Sequence, residues 1–157
     1  MMHIRDIMQP DMLSPFVSGR DRQDTALMMA AAKGKCKAIT HPLLKAEMKK
    51  QDVNGYTALM WAVAHNQLKS AKLLLKKEGG MRDKRGRTAL MIAARNGHAD
   101  IVQFLVKQEG GVLDKCGHTA LLWAADDDKQ EVVDILLLDE NESKASLPLL
   151  HRYNYIK

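Results

Sequence analysis

The sequence predicts an all-α fold: a solenoid of helix–turn–helix repeats joined by short β-turn or hairpin connectors. Three observations predict it. A tetrapeptide recurs as Thr25-Ala26-Leu27-Met28, Thr57-Ala58-Leu59-Met60, Thr88-Ala89-Leu90-Met91 and Thr119-Ala120-Leu121-Leu122, at intervals of 32, 31 and 31 residues. A fixed period in the thirties marks a stack of small units rather than one globule. An aromatic share of 4% beside a hydrophobic share of 46% suits packed Ala, Leu, Val and Met helices better than a β-sandwich. Small residues also return in pairs, Ala30-Ala31, Ala62-Val63, Ala93-Ala94 and Ala124-Ala125, where neighbouring helices can approach closely.

The elements follow in order. A leader over residues 1–18 holds Pro10 and Pro15 and is expected to be partly disordered or to cap the array. The repeat array spans 19–142. Its first unit is atypical, as a terminal repeat lacking a neighbour should be. The turn Arg20-Asp21-Arg22-Gln23-Asp24 has no glycine, and the second helix contains Pro42. Proline inside a helix costs about 3 kcal/mol, so this helix should start late, kink or break near His41. The later units open on Asp52-Val53-Asn54-Gly55, Asp83-Lys84-Arg85-Gly86 and Asp114-Lys115-Cys116-Gly117, which suit tight β-turns.

The third unit is the clearest. Thr88 is an N-cap able to accept a backbone N–H, and Leu90, Ala93 and Ala94 fall on one face of a short helix. Gly97 closes it in the left-handed conformation. Ile101, Val102 and Leu105, with Phe104, form the stripe of a second helix, which Glu109-Gly110-Gly111 ends. The helix-breaking position of the four units holds Gly34, Asn66, Gly97 and Asp128, types that tolerate positive φ. In the fourth unit Val132-Val133 and Ile135-Leu136-Leu137-Leu138 build the second helix, and Asp139-Glu140-Asn141-Glu142-Ser143 ends it. The tail, 143–157, is expected to fold back as a cap.

On these residues the sequence resembles the ankyrin repeat family. The D-x-x-G-x-T turn and first helix, the A-A-x-x-G-H break and the second helix match from Asp52 to Leu75, Asp83 to Val106 and Asp114 to Leu137, with a weaker match from Thr25 to Leu44. Roughly four-fifths of the chain is covered, in about four repeats. Ala replaces the family's proline after each Thr, and Met28, Met60, Met91 and Leu122 replace its histidine, so the Thr–His side-chain bonds of the family cannot form. Adaptable apolar packing must stand in for them. The period falls short of the usual 33, implying a shorter finger between repeats.

The formal charge of +5 is unevenly placed: residues 25–113 carry 16 Lys/Arg against 6 Asp/Glu. No apolar run approaches the roughly 20 residues a bilayer requires, and the N-terminus lacks a secretory signal. An intracellular, cytoplasmic protein is expected, with the nucleus left open. Cys36 and Cys116, in the first and fourth units, are too far apart to bridge on a stacked arrangement and should be free thiols. The six histidines form no H-E-x-x-H or Cys/His zinc motif, and no phosphate loop or G-x-S-x-G element occurs. The triplet Asp126-Asp127-Asp128 is a weak cation candidate. No cofactor and no catalytic residue is predicted. Trp61 and Trp123 are read as core, with a partner-facing anchor as the other reading.

The resemblance implies a non-catalytic protein-interaction scaffold or adaptor that binds other proteins on a concave face, through variable residues of the turns and first-helix ends. The corresponding positions are Tyr56 and His65; Lys84, Arg85, Arg87, Arg95 and Asn96; and Lys115, His118 and Asp127. Arg85, Arg87 and Arg95 are expected to share one exposed face and meet acidic groups of the partner. The protein is expected to be a monomer. The alternatives are a basic centre binding nucleic acid or another acidic polymer, for which reading motifs and stacking aromatics are lacking, and a targeting fragment associated with a separate catalytic domain such as a kinase.

Overall fold

A computed structural model gives the structure of the protein and describes residues 24–142; the expectations for the leader, 1–18, and the tail, 143–157, lie outside the described residues. Four helical units follow one another. The first holds α1 (Ala26–Ala32), α2 (Cys36–Ile39) and α3 (Pro42–Lys45), and the second α4 (Ala58–Ala64) and α5 (Leu68–Glu78). The third holds α6 (Ala89–Asn96) and α7 (Ala99–Glu109), and the fourth α8 (Ala120–Asp126) and α9 (Gln130–Glu142). No strand occurs among the described residues. The first helices stack in chain order, α1 on α4, α4 on α6 and α6 on α8, and each of the three later ones is backed by the second helix of its own unit.

The repeated tetrapeptide works as three separate parts. Its leucines, Leu27, Leu59, Leu90 and Leu121, are buried in the continuous core, as are the small residues Ala31, Ala62, Val63, Ala93, Ala94 and Ala124. Thr25, Thr57 and Thr119 each accept a backbone N–H from three residues on, at 3.2, 3.3 and 3.3 Å. Thr88 holds the same N-cap position, but its hydroxyl makes no such bond and is buried without a partner; nothing in the structure explains this copy. Met28, Met60 and Met91 are buried. Met28 goes further: its Sδ accepts the Thr25 N–H at 3.4 Å, so sulfur stands where a capping box uses Glu or Gln.

The helix breaks follow the residues that allow them. Gly34, Asn66, Gly97 and Asp128 all have positive φ, between 55° and 74°. The second helix of the first unit breaks over Thr40 and His41, and Pro42 opens α3, where a missing N–H costs least. On α7 the buried stripe is Ile101, Val102, Leu105 and Val106, while Phe104 is half-buried beneath the Lys72 ammonium, 5.4 Å from its ring centre.

Between units, the third-unit turn lies directly against the fourth. A Cβ on Gly86, which has φ 78°, would come 2.9 Å from the Lys115 backbone nitrogen. Gly86→Ala should therefore destabilise the protein by at least about 1–2 kcal/mol; chemical denaturation checks this.

Three glutamates, of which the sequence offers Glu109 only as part of a helix stop, tie the stack together. Glu78 is buried; its Oε2 accepts the Leu59 N–H at 2.7 Å and its Oε1 the Lys49 N–H at 2.9 Å. Glu109 repeats the arrangement with Leu90 and Gly80, both at 2.8 Å, and Glu47 accepts from Leu27 at 2.8 Å. Each carboxylate caps the start of its own unit's first helix. Glu78 and Glu109 also hold the connector before it, so one charged group fastens two units.

His98 joins α6 and α7 to the second unit, its Nε2 lying 3.4 Å from the Ala64 carbonyl oxygen. Burial lowers the pKa of this imidazole, opposed by the bond to Ala64 and aided by Lys129. The folded chain thus takes up this proton less readily than the unfolded chain. Stability should be fully present above the ordinary histidine value and fall as pH drops through it. Urea unfolding at about pH 7.5 and pH 5.5 should show a smaller pH dependence in His98→Gln than in the wild type.

Candidate interaction surface at the turn tips

Each connector is a five-residue turn built around one aspartate. In Asp52–Tyr56 the Asp52 N–H donates to the Tyr56 carbonyl at 3.0 Å and the Gly55 N–H to the Asp52 carbonyl at 2.9 Å. Asp52 Oδ1 also accepts the N–H groups of Asn54 and Tyr56, both at 2.8 Å. Asp83 does the same for Arg85 and Arg87, and Asp114 for Cys116 and His118. The aspartates are buried, and this repeated pattern makes the turns rigid.

Successive tips are joined through their backbones. The Lys84 N–H donates to the Asn54 carbonyl at 3.1 Å, and the Lys115 N–H to the Arg85 carbonyl at 3.0 Å. The result is a ledge on which Val53, Asn54, Lys84, Arg85, Lys115 and Cys116 are exposed. Arg82 runs beside it, its guanidinium donating to the Leu113 carbonyl at 3.1 Å.

The second oxygen of each aspartate determines what lies beneath the ledge. Asp52 Oδ2 accepts from Trp61 Nε1, and Asp114 Oδ2 from Trp123 Nε1, both at 3.0 Å. In the third unit Ile92 takes the tryptophan position, and Arg87 supplies the missing donor: its guanidinium lies 2.7 Å from Asp83 Oδ2 and donates to the Tyr56 hydroxyl at 3.0 Å. It also lies 5.7 Å from the Tyr56 ring centre and 5.6 Å from that of Trp123.

The expectation that Arg85, Arg87 and Arg95 form one exposed face is corrected accordingly. Arg87 is 2% exposed, because two aromatic rings from neighbouring units and a carboxylate enclose it. Arg95 is half-buried over Trp123 at 5.6 Å, with Nε 3.3 Å from Asp127 Oδ2 in an ion pair that lacks hydrogen-bond alignment. Burial lowers its guanidinium pKa, and Asp127 counters that. Of the remaining predicted positions, Lys84, Arg85, Asn96 and Lys115 are exposed, while Tyr56, His65, His118 and Asp127 are half-buried. Burial raises the Tyr56 phenol pKa, opposed chiefly by Arg87. His65 stacks on Trp61 with ring centres 5.8 Å apart, its Nδ1 2.9 Å from the Trp61 carbonyl oxygen. Trp123 is core; Trp61 is half-buried.

Cys36 and Cys116 are both free thiols. The triplet Asp126-Asp127-Asp128 does not converge, since Asp127 turns to Arg95. Among the described residues one group of three metal-type ligands does come together, Asp114, Cys116 and His118. These donors alternate within a single turn, a spacing unlike that of the common histidine and cysteine zinc motifs. No described helix is long and apolar enough to cross a membrane.

The family model for ankyrin repeats, in blocks of three copies, matches residues 5–81 and again 76–146. No curated protein matches the chain. With both matches together spanning most of its length and the helix pairs and Asp–Gly turns in register, the chain belongs to the ankyrin repeat family.

Proposed function

We propose that this protein is a non-catalytic interaction module that seats an acidic segment of a partner protein along the ledge of turn tips, with Lys84, Arg85 and Lys115 as the charged contacts. Ankyrin repeats are generally protein–protein interaction modules and are typically non-catalytic. One observation carries the finer reading. The residues that repeat throughout, the turn aspartates and glycines and the capping threonines, are largely consumed by the scaffold, whereas the exposed tips vary: Val53, Lys84 and Lys115 at the second place of the turn, Asn54, Arg85 and Cys116 at the third. Rigid backbone carrying non-repeating side chains presents a surface without an ordering cost on binding. The concave side of the stack is the face assigned to the partner, with Asn96 and the first-helix ends beside the tips. The protein acts as a monomer inside the cell on this reading.

Affinity purification from native extract should recover a partner with the wild-type chain and lose it with the triple substitution Lys84→Glu, Arg85→Glu, Lys115→Glu. Equal recovery by both would remove the charged ledge from the proposal. Exposed Lys69, Lys72, Lys76 and Lys77 on α5 support the second reading, an anionic polymer held on the outer helices. That reading requires binding of random RNA that weakens steeply with salt and survives the triple substitution.

A further inference from the structure

The turns Asp83–Arg87 and Asp114–His118 share one hydrogen-bonded backbone but differ in chemistry at the third and fifth positions. Arg85 and Arg87 in one become Cys116 and His118 in the other. In the third unit the outer aspartate oxygen meets a cation, the Arg87 guanidinium, at 2.7 Å. In the fourth, Asp114 Oδ2 takes the Trp123 indole N–H and also faces His118 Nδ1 at 3.5 Å. That nitrogen is shielded from solvent and makes no hydrogen bond. A thiol lies in the same place: the ligand atoms of Asp114, Cys116 and His118 are all within 4.8 Å of one another.

We propose that Asp114, Cys116 and His118 form a binding site for a zinc-type divalent transition metal. Oxygen and nitrogen ligands bonded tetrahedrally to zinc at about 2.0–2.1 Å stand about 3.3 Å apart, close to the 3.5 Å between Asp114 Oδ2 and His118 Nδ1. The thiol needs to close in by rotation of one exposed side chain to reach the roughly 2.3 Å of a zinc–thiolate bond. A mixed oxygen, nitrogen and sulfur set favours zinc over calcium or magnesium, which take oxygen ligands.

The carboxylate is already oriented. Its other oxygen accepts the Cys116 and His118 N–H groups at 2.9 Å, and the indole N–H fixes the ligating one, the kind of outer support that metal sites use. Cys116 is exposed, so an ion can enter and water can complete its coordination. The Arg87 guanidinium across the Trp123 ring is neutralised by Asp83. Such an ion would add beside Asp114, which already has its indole donor, the positive charge that Arg87 brings to Asp83.

The full-length chain is titrated anaerobically with cobalt(II), followed by zinc(II) as competitor. One ion per chain should bring up a thiolate-to-cobalt charge-transfer band that zinc abolishes. Cys116→Ser should lose the band. His118→Gln should weaken binding by at least the roughly 10–100-fold that even an outer-shell partner contributes, with His118→Ala as a second check. Circular dichroism verifies that each variant is folded, and Asp114, which holds the turn, is left in place. No band in the wild type, a band that persists in Cys116→Ser, or unchanged affinity in both His118 variants overturns the proposal.

Discussion

Replacing Arg87 by alanine should destabilise the protein by about 3–5 kcal/mol, the range for removing one partner of a buried ion pair. Both side chains of the pair are enclosed, at 3% and 1% exposure, with 2.7 Å between the charged atoms. The loss comes less from the missing attraction than from what remains. Asp83 Oδ2 would stay charged and buried with its guanidinium partner gone, since Ile92 offers no indole N–H in this unit. The Tyr56 hydroxyl would lose its donor as well. Arg87→Lys should fall between, because an ammonium cannot serve Asp83 and Tyr56 with the same fixed fork. Equilibrium urea unfolding measures the effect, and a loss below about 1 kcal/mol would show that the pair is more hydrated than its enclosure indicates. For binding assays, charge reversal at Arg87 would report unfolding rather than recognition, which is why the test of the ledge uses Lys84, Arg85 and Lys115.

The second large effect is expected at Glu78. Glu78→Ala should cost about 2–4 kcal/mol, because it strands the buried Leu59 N–H at the start of α4 and frees the Lys49 N–H of the preceding connector, each bond to a charged group being worth roughly 1.5–3 kcal/mol. Glu78→Gln should recover part of this, as its amide keeps one acceptor oxygen but turns an NH₂ toward the other donor. Because the carboxylate couples two units, hydrogen exchange in Glu78→Ala should rise on both sides of the connector, in α4 and around Lys49. Faster exchange confined to α5 would contradict the coupling.

Much of this architecture is readable in the sequence because it is local. An N-cap bond from Thr57 to the Met60 N–H spans three residues, and a left-handed break at Asn66 or Gly97 depends on one residue's tolerance of positive φ. Pro42 likewise announces the break after α2 by its own missing N–H. The 31-residue recurrence of Glu47, Glu78 and Glu109 was a further readable signal. At Glu78 and Glu109 it is masked by the adjacent glycines, which already account for a helix end. The alternation of Trp61, Ile92 and Trp123 was equally visible, and it foretells that the third turn needs another donor for its aspartate.

The surface was less legible. Arg85 and Arg87 are two residues apart in one turn and chemically alike, yet one is exposed and the other is 2% exposed. Within the turn Asp83 pairs with the second, and Tyr56 from the unit before and Trp123 from the unit after enclose it. The convergence of Asp114, Cys116 and His118 is more local: the turn supplies the spacing and the indole of Trp123, in the same unit, fixes the carboxylate. The sequence by itself determined the repeat, its caps, its breaks and its turns, all set by interactions a few residues long. Which charges are buried and which remain on the ledge was decided only by stacking, because the rings that enclose Arg87 are brought from neighbouring units, some thirty residues away.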